Sequence, residues 1–132
     1  MSDYTDENLK EIYLQELIDN YKNPKNFGKL DDFDYFAHKK NRSCGDEFDL
    51  FLKFDDKNKV SKVAFNGQGC AISTASFSIF TEYIKGLTLD ELKKLSEDDI
   101  FEMLKIEISS GKVNCAILPL GALKKALKIE DE

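Results

Sequence analysis

The first pattern in the chain is that of an amphipathic helix. Between positions 8 and 21, apolar side chains recur at spacings of three and four residues, namely Leu9, Ile12, Tyr13, Leu17 and Tyr21. This repeat is typical of an α-helix with one apolar stripe. Pro24 and Gly28 end the pattern, because the residue before a proline is pushed out of the helical region. The sequence therefore predicts a helix over residues 8–21.

A change of period to two predicts strands in the next part of the chain. Alternate positions from 47 to 54 are apolar, namely Phe48, Leu50, Leu52 and Phe54, and only Phe51 departs from the rule. This alternation indicates a half-buried strand, and the turn-forming residues 55–58 lead into a returning strand over 60–66. Segment 31–40 leaves two alternatives open. Phe33, Tyr35 and Ala37 alternate as in an edge strand, but a loop accommodates them equally well.

The rest of the chain is predicted to be helical. One apolar stripe runs through Ile72, Ser76, Ile79, Phe80, Tyr83 and Ile84 and stops at Gly86. Thr88 with Glu91 forms a capping box, and Ser96 with Asp99 can open another helix. A last helix is expected from about residue 118, since Pro119 suits a first helical turn. The order predicts an α+β fold, with a small three-stranded antiparallel sheet packed against several helices.

Composition and charge restrict the function classes. The 132 residues predict a single domain over 1–132, and the net charge of −6 argues against nucleic acid as a partner. No apolar run approaches the roughly 20 residues of a membrane span, so no membrane partner is expected. The acidic, polar start of the chain is unlike a secretory signal. Three cysteines, an odd number, favour reduced thiols and a cytoplasmic location.

The three cysteines carry the candidate chemistry. Cys44 lies two residues before Asp46, Cys70 follows a glycine-rich turn, and Cys115 precedes the last amphipathic run. We expect all three thiols to be exposed, and the flanking Gly45 and Gly69 to act as hinges that leave two of them accessible. Three thiols and a carboxylate are suitable ligands for zinc or iron. Intervals of 25 and 44 residues separate the cysteines. Because no C-x-x-C pair occurs, burial of the cysteines as small hydrophobes remains the alternative.

Four segments resemble one protein family, the IscU, SufU and NifU N-terminal scaffolds of iron–sulfur cluster assembly. They are residues 44–46 (Cys-Gly-Asp), 69–73 (Gly-Cys-Ala-Ile-Ser), Cys115 before the last helix, and 21–28 (Tyr-Lys-Asn-Pro-Lys-Asn-Phe-Gly). Segment 21–28 is similar to the Y-x-N-P-x-N-x-G motif that ends the family's first helix. The segments come in the family's order, and the resemblance extends from about residue 10 to 128.

The resemblance implies a SufE/NifU-like fold and a scaffold rather than an enzyme. Such a scaffold assembles a transient [2Fe–2S] cluster from iron and from sulfur supplied by a cysteine desulfurase, and passes it to apo-proteins. By motif, Cys44, Asp46, Cys70 and Cys115 carry over as the ligands. The alternative, implied by SufU, is a zinc-dependent sulfurtransferase in which Zn²⁺ occupies the same site and Cys115 accepts the persulfide sulfur.

Three departures from the family pattern qualify this prediction. Asn114 stands where IscU proteins carry a histidine, and the Leu-Pro-Pro-Val-Lys motif is missing, which argues against hand-off to a dedicated Hsp70-type chaperone. The lack of this histidine makes the sequence more similar to SufU proteins, but the insertion that SufU proteins carry before the third cysteine is also absent. The one histidine, His38, is either a ligand or, by default, a surface or hydrogen-bonded residue. The sequence thus lies between the two subfamilies.

Overall fold

The computed structural model describes residues 2–41 and 45–129, with side chains from residue 9 onward. The elements in chain order are α1 Ser2–Lys22, β1 Tyr35–Asn41, β2 Asp46–Phe54, β3 Val60–Gln68, α2 Ala71–Ile84, α3 Leu89–Lys93, α4 Glu97–Leu104, a 3₁₀ turn Ser110–Lys112, α5 Val113–Ala116 and α6 Leu118–Leu127. This is the predicted order of a helix, a small sheet and several helices, and the α+β fold class is confirmed.

The sheet has three antiparallel strands in the order β1-β2-β3. Of the two alternatives for segment 31–40, the strand is correct from Tyr35 onward, and it forms one edge of the sheet. The predicted faces of β2 are also correct, because Phe48, Leu50 and Leu52 are fully buried. The exception, Phe51, lies on the opposite face. Two aromatic rings pack against it with centroids 5.3 and 5.1 Å away, those of Phe33 and Phe36.

The segment that follows α1 joins three parts of the fold. The peptide N–H of Phe65 in β3 donates to the carbonyl of Asn26, and that of Gly28 donates to the carbonyl of Phe65. The Asn26 amide also donates to Thr81 and Glu82 of α2, at 3.1 and 3.2 Å. The family-like 21–28 segment therefore fixes α1 against the sheet and α2, and its role in this structure is architectural.

Three stacked phenylalanines form the centre of the core. The ring of Phe77 in α2 lies 4.5 Å from that of Phe48 and 5.2 Å from that of Phe65, and all three are buried. The predicted stripe of α2 is buried at Ser76, Phe80 and Ile84, but it is wrong for Tyr83, which is 51% exposed. Phe77, which the stripe omits, supplies the ring that packs on the sheet.

The first helix is longer than predicted, and less of its apolar stripe is buried than predicted. It starts at Ser2, and of the predicted apolar residues Leu17 is buried, whereas Ile12 is 53% exposed. The side-chain hydrogen bond that ties α1 to α2 comes from its C-terminal end, where Asn20 accepts from the Ser78 hydroxyl. Leu17 is buried, whereas Leu9, Ile12 and Tyr21 are exposed.

The later helices begin as predicted. Both capping boxes are present, at Thr88 with Glu91 and at Ser96 with Asp99, and the last helix starts at Leu118. The four-residue helix α5, which carries Cys115, was not predicted. Within the described ranges, no helix has the length and apolar character needed to cross a membrane.

Candidate metal centre

Three of the four predicted ligands meet at one end of the sheet. One carboxylate oxygen of Asp46 and the sulfurs of Cys70 and Cys115 all lie within 4.8 Å of one another. They come from three elements, since Asp46 opens β2, Cys70 caps α2 and Cys115 lies in α5. Cys44 lies outside the described residues, so its place in the ligand set stays a prediction.

Asp46 is the most firmly held member of the group. Its residue is 2% exposed, and the backbone N–H of Cys70 donates to its Oδ1 at 3.0 Å. Gly69 makes this close approach feasible, because a Cβ atom there would lie 2.8 Å from that oxygen and 2.5 Å from the Ser73 hydroxyl. Gly69 thus has a different role from the predicted one. It admits the Asp46 carboxylate rather than keeping a thiol accessible.

Cys70 sits at the N-terminus of α2, where its side chain acts as the helix cap. The sulfur accepts from the Ser73 backbone N–H at 3.5 Å, and the thiol lies 3.8 Å from Asp46 Oδ2. Burial raises the pKa of the Cys70 thiol, but hydrogen bonds from Ser73 and the Cys115 thiol outweigh it, and the pKa is lowered. Cys70 is half-buried, which leaves part of it accessible.

Cys115 is fully buried, and the prediction of an exposed thiol is wrong for this residue. The reason is the short helix α5, which the sequence pattern did not reveal. The buried Ser76 hydroxyl of α2 donates to the Ala116 carbonyl at 2.5 Å, so α5 is fastened to the central helix. The Asn41 side-chain amide donates to the Cys115 sulfur at 3.6 Å. Burial alone does not make Cys115 a core filler, because its sulfur lies within 4.8 Å of the other two candidate ligand atoms.

His38, whose role the sequence left open, lies apart from the group. His38 Nδ1 is 2.6 Å from Asp49 Oδ1, and its Nε2 is 3.4 Å from Glu47 Oε2. Because successive strand residues point to opposite faces, this cluster lies on the other face of the sheet from Asp46. His38 is therefore a hydrogen-bonded surface residue, its default in the sequence analysis. Asn114 is exposed.

Sequence reasoning missed two described residues that donate N–H hydrogen bonds to the sulfurs. Ser73 lies three positions after Cys70, which is the usual spacing between an N-cap side chain and the backbone N–H that donates to it. The sequence around Cys70 could therefore have indicated this contact. Asn41 had no such local signal, because 74 positions separate it from Cys115. That contact exists only once β1 and α5 are brought together.

The donor set suits a soft metal centre. Thiolates hold iron and zinc, and a carboxylate adds a harder, weaker ligand. The described donors fit such a group, since two sulfurs and one oxygen lie close together at the start of a helix.

Comparison with known proteins places the chain in a family. Residues 12–129 match the model of the NifU-like N terminal domain. An IscU scaffold protein of Escherichia coli is 34% identical over 118 residues, which is 87% of this chain and 91% of that protein. The Archaeoglobus fulgidus IscU 1 scaffold is 33% identical over 88% of this chain and 74% of its own length.

Solved structures agree with this result. A Fervidobacterium islandicum protein, described as an iron–sulfur cluster assembly scaffold for the SUF system, is 32% identical with a TM-score of 0.71, over 86% of this chain and 94% of its own. A NifU-like N-terminal structure from Brucella abortus, 22% identical, shares the fold with a TM-score of 0.71, over 91% of this chain and 94% of its own. The chain belongs to the family of NifU-like N-terminal domains.

Proposed function

We propose that this protein is a scaffold that assembles a [2Fe–2S] cluster and transfers it to apo-proteins. The observation that carries the proposal is the convergence of Asp46, Cys70 and Cys115 from three separate elements. Cys44, two positions before Asp46, is the fourth ligand in this proposal. Relatives that are 33–34% identical to this chain over 87–88% of its length are named iron–sulfur cluster assembly scaffolds, which supports the same role.

The mixed ligand set suits a cluster that is transferred to another protein. A carboxylate oxygen is a poorer partner for a soft iron–sulfur cluster than a thiolate. An acceptor that offers four thiolates therefore binds the cluster more strongly than this site, and transfer to it is favourable. Asp46 is the weak ligand in this scheme, held ready by the Cys70 backbone N–H.

A cysteine desulfurase is the proposed sulfur source. A thiolate of the scaffold attacks the outer sulfur of the donor persulfide, a new S–S bond forms, and the donor cysteine leaves as thiolate. This step needs no external electrons. Conversion of each transferred sulfur to sulfide then takes two electrons, which a dithiol or ferredoxin-type reductant supplies. Cys70, half-buried, is better placed for the first attack than the buried Cys115.

The sulfurtransferase alternative is less favoured for the same reason. It assigns persulfide acceptance to Cys115, whose sulfur is not exposed in this conformation. Zinc remains a suitable occupant of the same ligands, so metal binding alone does not separate the two functions.

The test replaces the weak ligand by a strong one. In Asp46→Cys, a thiolate takes the place of the carboxylate, and the cluster formed under anaerobic reconstitution should stay bound longer. Transfer to an apo-ferredoxin, followed by its visible circular dichroism, should be slower by about tenfold or more. Glu47→Cys is the matched control, because the adjacent side chain lies on the other face of the sheet and should leave transfer unchanged. Equal transfer rates for the wild type and Asp46→Cys would contradict Asp46 as the releasing ligand.

A further inference from the structure

Each described candidate ligand residue of the site accepts an N–H hydrogen bond. Asp46 accepts from the Cys70 backbone, and the Cys70 sulfur accepts from the Ser73 backbone. These donors belong to the N-cap and the first turn of α2, so both come with the helix. The donor to the Cys115 sulfur is different in kind, because it is the side-chain amide of Asn41, from another element.

Asn41 connects the Asp46 strand to the Cys115 helix. It is the last residue of β1 and pairs in register with Asp46 on β2, while its amide reaches across to Cys115 in α5. The residue is 8% exposed. Burying an amide is costly unless it is hydrogen-bonded, so a buried asparagine is retained where its bonds matter. Its NH₂ group can only donate, which matches a sulfur that carries negative charge.

We infer that Asn41 is a positioning residue for the metal centre. Its amide keeps the Cys115 sulfur facing Asp46 and Cys70, and it stabilises the negative charge of that sulfur when iron or another thiophilic metal is bound. Hydrogen bonds to a coordinating sulfur tune both the strength and the electronic character of the metal–sulfur bond. The inference rests on the proposed ligand set and adds to it a residue that no sequence motif marks.

The test is a titration of the metal-free protein with Co²⁺ in the absence of air, read from the thiolate-to-cobalt charge-transfer band. Asn41→Asp keeps the size of the side chain and replaces the donor by a carboxylate oxygen. Asn114→Asp makes the same charge change one residue before Cys115, at an exposed position. We expect Asn41→Asp to weaken Co²⁺ binding by about 10–100-fold and Asn114→Asp by about twofold or less.

The position of the band separates a role at the sulfur from a purely structural one. A thiolate that loses its donor holds its electrons less tightly, so the band of Asn41→Asp should move to longer wavelength. Asn41→Ala should move it in the same direction, and this variant decides the matter if Asn41→Asp does not fold by circular dichroism. A band and an affinity equal to those of Asn114→Asp would overturn the inference.

The outcome also distinguishes this inference from the proposed function. A wild-type protein without any thiolate-to-cobalt band has no such ligand set, and both proposals would then be wrong. A normal wild-type band that both Asn41 variants retain unchanged would overturn the role of Asn41 and leave the scaffold proposal standing.

Discussion

A methyl group at position 69 should disturb the candidate metal centre, because it would lie against Ser73 and Asp46. In Gly69→Ala the new Cβ would lie 2.5 Å from the Ser73 hydroxyl and 2.8 Å from Asp46 Oδ1. Neither atom can retreat freely. The Ser73 hydroxyl donates to the Cys70 carbonyl at 3.1 Å, and the Asp46 carboxylate, 2% exposed, accepts from the Cys70 N–H.

The cost follows from the hydrogen bond that has to give way. Leaving one buried polar group without its partner costs about 1–3 kcal/mol. Replacing glycine by alanine returns about 0.4–1 kcal/mol by restricting the unfolded chain. The net destabilisation is therefore about 0–2.6 kcal/mol, and its midpoint of about 1.3 kcal/mol corresponds to a melting temperature lower by roughly 5 °C for a domain of this size.

Gly111→Ala is the matched control, because a Cβ at Gly111 meets no atom within 4 Å. Thermal unfolding of the metal-free proteins should show Gly111→Ala at or slightly above the wild-type melting temperature and Gly69→Ala clearly below it. A Co²⁺ titration of the same proteins should show weaker binding in Gly69→Ala alone. Equal stability and equal metal affinity in the two variants would refute the close packing of Gly69 on Asp46.

Two further predictions concern stability away from the site. Phe77→Ala removes the ring between Phe48 and Phe65 and should lower the free energy of unfolding in urea by about 3–5 kcal/mol. Tyr83→Ala, on the exposed face of the same helix, should lower it by about 0.5 kcal/mol or less. Similar losses of stability in the two variants would contradict the assigned core. Hydrogen bonds, first from Lys85 and then from Asn26, lower the pKa of Glu82, so Glu82→Gln should lose about 0.2–1 kcal/mol at pH 7. That difference should shrink as the pH falls below the unfolded value of about 4.3 and through the lower folded pKa, and a difference independent of pH would count against it.

Local signals in the sequence were the reliable ones. The capping boxes at Thr88 and Ser96 were correctly predicted because both partners lie within one helical turn. The faces of β2 were correct because strand alternation is a property of the strand itself. Exposure was less predictable. Ile12 and Tyr83 fit a helical stripe, yet both are more than half exposed, because which stripe is covered depends on the neighbouring elements.

The site shows the same division. Spacing alone left burial of the cysteines as small hydrophobes open, and the family resemblance supplied the ligand set. The structure brings Asp46, Cys70 and Cys115 together and shows that Cys115 is buried in a helix too short for a periodic signal. The Asn41 contact joins residues 74 positions apart, so no local pattern could reveal it.

The central claim is that this site builds and holds an iron–sulfur cluster. The most direct measurement is the iron and acid-labile sulfide content, with the visible absorption spectrum, of the protein after anaerobic incubation with iron, cysteine, a cysteine desulfurase and a dithiol reductant. The scaffold function predicts iron and sulfide in equal amounts and the absorption of a [2Fe–2S] centre, both lost in Cys70→Ser. Protein that takes up no sulfide under these conditions, while its zinc form stimulates the desulfurase strongly, would contradict it.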